Sequence, residues 1–178
     1  MNNKGFSLIE LIVIIAIMGV LVGGASLGIG LVFSKDAMKC ATRLNDSIYD
    51  ARANSMYKTG EFKLIIDNKD GVNVATISQT DLTPATSDTV YLDGVDSNKK
   101  TTISARFVTE AVPAGTALSF PLNLTFDKAK GNVYFDVDAD GTYDDGIIVF
   151  DITPLRGNRT AKVQLVTTTG KHTIGEFE

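Results

Sequence analysis

The sequence predicts an α+β chain: a long N-terminal helix, with an apolar half and an amphipathic half, packed on a largely antiparallel β-sheet head. Three observations carry that expectation. An apolar run with one charge, Glu10, extends from Phe6 to Phe33. A helical recurrence of apolar positions continues beyond it, and past Gly60 apolar and polar residues begin to alternate.

The apolar run, FSLIELIVIIAIMGVLVGGASLGIGLVF, would make a helix of about 42 Å, whereas a bilayer core needs only about 20 such residues. Lys4 and the N-terminal amine precede it and favour a cytoplasmic N-terminus. A secretory signal has an apolar core of only about 7–15 residues followed by a small-x-small cleavage site. This run is longer and passes into a helical segment without a polar break. A lipoprotein signal needs a cysteine just after the apolar stretch, and Cys40 follows Ser34-Lys35-Asp36 instead. A plain signal anchor fits the length but gives Glu10 no purpose. An ionisable residue at such a position costs about 2.5–3.5 kcal/mol on insertion scales and marks function by default.

From Ser34 to Thr59 the apolar positions Ala37, Ala41, Leu44, Ile48 and Ala51 recur at steps of four, three, four and three. This is one helical stripe, with Arg43, Asp46, Asp50 and Arg52 largely off it. Cys40 stands beside the stripe and reads as a small packing residue. Gly60 supplies the stop. A helix from Phe6 to Lys58 would run about 80 Å. Glycines at 19, 23, 24, 28 and 30 leave two readings open, close helix-to-helix contact or a region that unwinds, with no proline nearby to decide.

Phe62–Ile66 and Val72–Ile77 flank Asn68-Lys69-Asp70-Gly71 and read as a hairpin. The polar stretch from Ser78 to about Thr89 reads as an exposed loop. Further strands are expected at Val90–Leu92, Ile103–Val108, Leu122–Phe126, Asn132–Val137, Ile147–Ile152 and Lys162–Val166. The last turns at Thr168-Thr169-Gly170-Lys171 into a strand ending at Ile174. No internal repeat or interdomain linker interrupts this, so 178 residues make one head and one helix.

Composition excludes whole classes of function. A net charge of −4 and a pI near 5.0 give no basic surface, so no nucleic acid partner is expected. One cysteine and one histidine, His172, leave no disulfide framework, cysteine-rich zinc site or histidine-based centre. There is no Gly-rich phosphate loop and no Ser/His/Asp set. The chain is therefore expected not to be an enzyme and to require no cofactor.

One acidic constellation stands apart. Asp136-Val137-Asp138-Ala139-Asp140-Gly141-Thr142-Tyr143-Asp144-Asp145 places aspartates at alternate positions before a glycine turn. Ca²⁺ prefers six to eight oxygens, and Asp136, Asp138, Asp140, Thr142 and Asp144 make a candidate set. The pattern departs from an EF-hand, because its twelfth position is Ile147 and its flanks read as strands. The rival reading is a solvated Asp-Gly hairpin tip.

Gly5-Phe6-Ser7-Leu8-Ile9-Glu10, preceded by Lys4, resembles the prepilin peptidase motif of type IV pilins and pseudopilins. The resemblance implies cleavage between Gly5 and Phe6, N-methylation of Phe6, and Glu10 as the fifth residue of the mature chain. In that family this glutamate pairs with the N-terminal amine of a neighbouring subunit. A charge pair in hydrocarbon relieves the desolvation cost of each member. The resemblance divides the chain into a leader (1–5), a membrane and filament-core half-helix (6–33), an amphipathic half-helix (34–59) and a head (60–178). It implies as partners other pilins, prepilin peptidase, the membrane and an inner-membrane assembly platform. It places the chain in the cell membrane with a cytoplasmic N-terminus, then in an extracytoplasmic filament. A second resemblance, over Asn158–Val166 and Gly170-Lys171, is to the last hairpin of minor pseudopilins of type II secretion. No C-terminal cysteine pair bounds a loop.

The resulting expectation is a structural subunit of a type IV pilus-like filament or a secretion pseudopilus. Its rivals are a binding subunit, such as a tip adhesin or a DNA-capturing minor pilin, and a signal-anchored enzyme.

Overall fold

The computed structural model describes residues 8–175 apart from 82–84, 95–98, 138–140 and 158, and along 24–34 the helix backbone alone. A 50-residue helix, α1 (Leu8–Tyr57), leads into ten strands among the described residues. These are β1 (Phe62–Lys69), β2 (Val72–Gln79), β3 (Thr86–Tyr91), β4 (Thr101–Val108), β5 (Thr116–Leu118), β6 (Leu122–Phe126), β7 (Val133–Tyr134), β8 (Ile147–Pro154), β9 (Ala161–Val166) and β10 (His172–Gly175). Every pairing among the described residues is antiparallel.

The head holds two sheets where the sequence reading drew no division. One has the order β3-β2-β1-β6-β7 and the other β10-β9-β8-β4-β5. Periodicity reports which residues share a face, but not where a chain leaves one sheet for another. The segments after β3, β5 and β7 make those crossings. Each sheet turns one face inward. Phe62, Leu64 and Ile66 of β1 meet Leu122, Leu124 and Phe126 of β6 in the core, and Phe107, Ile148, Phe150, Ile152, Val163 and Leu165 come from the other sheet.

The first hairpin turns at Asp70-Gly71, with Lys69 opposite Val72. Both turn residues have positive φ (53° and 81°), the two-residue geometry that Asp-Gly favours.

Three expectations need correction. Ser78–Thr89 is not one loop, since β2 runs to Gln79 and β3 starts at Thr86. Thr86 to Thr89 are all exposed, and an edge strand open to water on both faces carries no hydrophobic alternation to read. The strand expected at Asn132–Val137 shrinks to Val133–Tyr134, because beyond it the Asp144 carboxylate accepts the Val137 N–H (2.9 Å) in place of a ladder bond. The short β5 was not expected at all; it is largely exposed and only three residues long.

Candidate assembly helix and its junction with the head

The outer half of α1 is fastened to the head by the stripe that the sequence marks. Ala37, Cys40, Ala41, Leu44, Ile48 and Ala51 are completely buried. The helix packs on β8, β9 and β10 of one sheet and on β1, β2 and β6 of the other, so it closes the core between them. Alanines at three of the positions bring the helix backbone close. Leu44 and Ile48 supply the bulk, each worth about 1.5–3 kcal/mol when fully buried.

A buried polar junction sits at one end of this contact. Asn73 Nδ2 donates to Asp93 Oδ2 (2.9 Å), to the Thr101 carbonyl (2.9 Å) and to Thr101 Oγ1 (3.2 Å). Thr101 Oγ1 lies 2.5 Å from Asp93 Oδ1 and 3.4 Å from Cys40 Sγ. A hydroxyl has one proton, and the short contact to a carboxylate takes it. The buried Cys40 thiol beside it keeps its proton. Burial pushes that thiol up to about 12, aided by the nearby Asp93 carboxylate and opposed by the Thr101 contact and Arg43. Arg43 donates to the Leu92 carbonyl (3.2 Å), tying α1 to the same corner. The network joins α1, β2, the turn after β3 and β4. Sequence reasoning missed Asn73, Asp93 and Thr101; the available signal was an asparagine between Val72 and Val74, in the buried first half of β2.

The opposite corner is held by close backbone approach. The Val133 N–H donates to the Thr167 carbonyl (2.8 Å), stitching one sheet to the other. Arg52 donates from Nη2 to the Thr169 carbonyl (3.0 Å). A Cβ at Gly170 would lie 1.9 Å from the Gly131 carbonyl oxygen, and Gly170 has φ 63°. Only glycine fits there.

The inner half of α1 is the opposite. Every large aliphatic side chain described from Leu8 to Val22 is exposed, between 46% and 77%. A Cβ added at Gly19 or Gly23 would meet nothing within 4 Å, so the chain's own packing does not demand glycine there. Glu10 is exposed on the inner half of α1. Among the described residues no helix is long and apolar enough to cross a membrane.

Of the other candidate residues, Gly5 and Phe6 lie outside the described residues, as do Asp138 and Asp140. Asp136 Oδ2 accepts the Gly141 N–H (2.9 Å), while Thr142 is exposed. With Asp144 turned to the Val137 N–H, both described carboxylates of the candidate set accept backbone bonds. No group of three or more acidic, histidine or cysteine side chains that could hold a metal ion occurs among the described residues.

A family model described as the prokaryotic N-terminal methylation motif covers the start of this helix. Residues 1–26 match it. The chain therefore carries the signal motif of type IV pilins and pseudopilins, and its match spans Gly5, Phe6 and Glu10 together with the first part of the exposed helix. No curated protein and no solved structure matches the chain.

Proposed function

We propose that the protein is a filament subunit of the type IV pilus or secretion pseudopilus kind, cut after Gly5, methylated on Phe6 and assembled through the inner half of α1. The observation that supports this reading most is the coincidence of the methylation motif with an aliphatic helix surface that its own chain leaves uncovered. An exposed apolar surface of that extent needs a partner, either lipid or another subunit. The apolar sequence to Phe33 is long enough for lipid before assembly, and Gly19 and Gly23 leave room for a neighbouring helix afterwards. Glu10 sets the register by pairing with the N-terminal amine of the next subunit. The head, closed by the outer half of α1, faces outward and does no chemistry.

The test is assembly of wild type and Glu10→Leu in cells that carry the pilus machinery. Wild type should appear in sheared filaments, and the variant should stay in the membrane at equal abundance. Equal recovery of both in filaments would sink the assembly role of Glu10.

A further inference from the structure

The crossing between the two sheets leaves a cleft of about 390 Å³ away from α1. It lies between their short edge strands, β5 and β7, and Tyr134 and Tyr143 stand on it with ring centroids 4.7 Å apart at 32°. Tyr134 is 38% exposed and Tyr143 65%. Two neighbouring exposed rings beside a cleft offer a flat apolar surface with polar groups at its edge.

The first ring is held in place. The Tyr134 hydroxyl donates to Asp127 Oδ1 (2.6 Å), and Asp127 Oδ2 accepts the N–H groups of Ala129 (3.1 Å) and Lys130 (2.7 Å). That bond is the main cause of a lowered Asp127 carboxyl and a raised Tyr134 phenol. Tyr143 then rests on a fixed neighbour, and a pre-organised ring loses little freedom on binding. Around the rings stand a side-chain amide (Asn123), a hydroxyl (Ser119) and a carboxylate (Asp136).

We propose that this cleft binds a neutral pyranose ring of a glycan, with the sugar's C–H face on Tyr143 and its hydroxyls on Asn123, Ser119 and Asp136. The lining decides the ligand class. No lysine or arginine is among the described residues that line it, which disfavours an anion. An extended peptide would need sheet edge to add to, and β5 and β7 offer only three and two residues. A ring with one apolar face and several hydroxyls matches an aromatic surface bordered by an amide, a hydroxyl and a carboxylate. The volume suits one sugar unit near the lower end of ligand pockets, which begin at about 300 Å³. This inference stands whether or not the chain enters a filament.

The test uses the full chain in a detergent without a sugar headgroup. Saturation-transfer NMR is run against a panel of methyl pyranosides and short oligosaccharides. Tyrosine emission gives a second readout, because the chain has no tryptophan. The expected result is transfer concentrated on one ring face of at least one pyranoside. Tyr143→Ala and Asn123→Ala should each weaken binding about tenfold, while Tyr143→Phe stays within about twofold. All three variants should melt with the wild type, since both positions are exposed. No binding of any pyranoside, or binding indifferent to Tyr143→Ala and Asn123→Ala, overturns the proposal. So does tight binding of a proline-rich peptide that depends on Tyr143 while the sugars fail.

Discussion

The two halves of α1 share one backbone and differ in everything around it. From Ala37 to Ala51 the apolar stripe is completely buried under both sheets, whereas from Leu8 to Val22 the large aliphatic side chains described are at least 46% exposed. The outer half is finished within its own chain. Its apolar residues occupy one face, and that face finds strands. The inner half is apolar nearly all round, so no single sheet could cover it. A helix that is apolar nearly all round is ordinarily buried, in a core or a membrane. The methylation motif falls on the half that is left open, at residues 1–26.

This contrast can be broken most forcefully at the outer half. Ile48→Ala should destabilise the chain by about 2–5 kcal/mol, because it opens a cavity at a completely buried position. Ile14→Ala, the same kind of truncation at 46% exposure, should shift stability by no more than about 0.5 kcal/mol. Denaturant melts of both variants check the pair; equal losses would mean that the inner half packs on its own head.

The polar junction comes next in size. Asn73→Ala leaves Asp93 and Thr101 without their shared donor in a buried site, and should cost about 1–3 kcal/mol. Chemical denaturation at neutral pH measures it.

Cys40 gives a gentler signal with a definite sign. Its folded pKa is raised from 9.0 to about 12. Below about pH 9 the stabilisation is fully present. Above it the unfolded thiol ionises while the folded one does not, so stability falls until the pH passes the folded value. Cys40→Ala should flatten the decline between pH 9 and 11 relative to wild type, measured as the change in melting temperature across that range. A thiol reagent at pH 8 should label only the unfolded chain.

Much of this was legible in the sequence because periodicity and burial are the same fact seen twice. The stripe Ala37, Ala41, Leu44, Ile48 and Ala51 is the buried face of α1, and the Asp70-Gly71 turn lies where two alternating runs require it. What stayed hidden depends on partners distant in sequence. Asn73 meets Thr101 across two sheets, and Gly170 meets Gly131 across two turns. No local pattern encodes either meeting. The first part of β3, Thr86–Thr89, reads as loop for another reason, since its residues are all exposed and are those of a loop. Only its end at Val90–Tyr91 falls in the strand expected at Val90–Leu92. Among the candidate residues, Glu10 is placed on the exposed inner half of α1. Asp136 and Asp144 turn to backbone N–H groups, a role that acidic spacing alone does not distinguish from metal binding.

An inner half of α1 that serves as an assembly element must carry a processed end. Intact mass of the full chain, coexpressed with a prepilin peptidase, tests this most directly. Loss of Met1–Gly5 with one added methyl on Phe6 is the predicted result. A chain that keeps Met1–Gly5 in the presence of an active peptidase would contradict it and make the exposed helix a plain anchor.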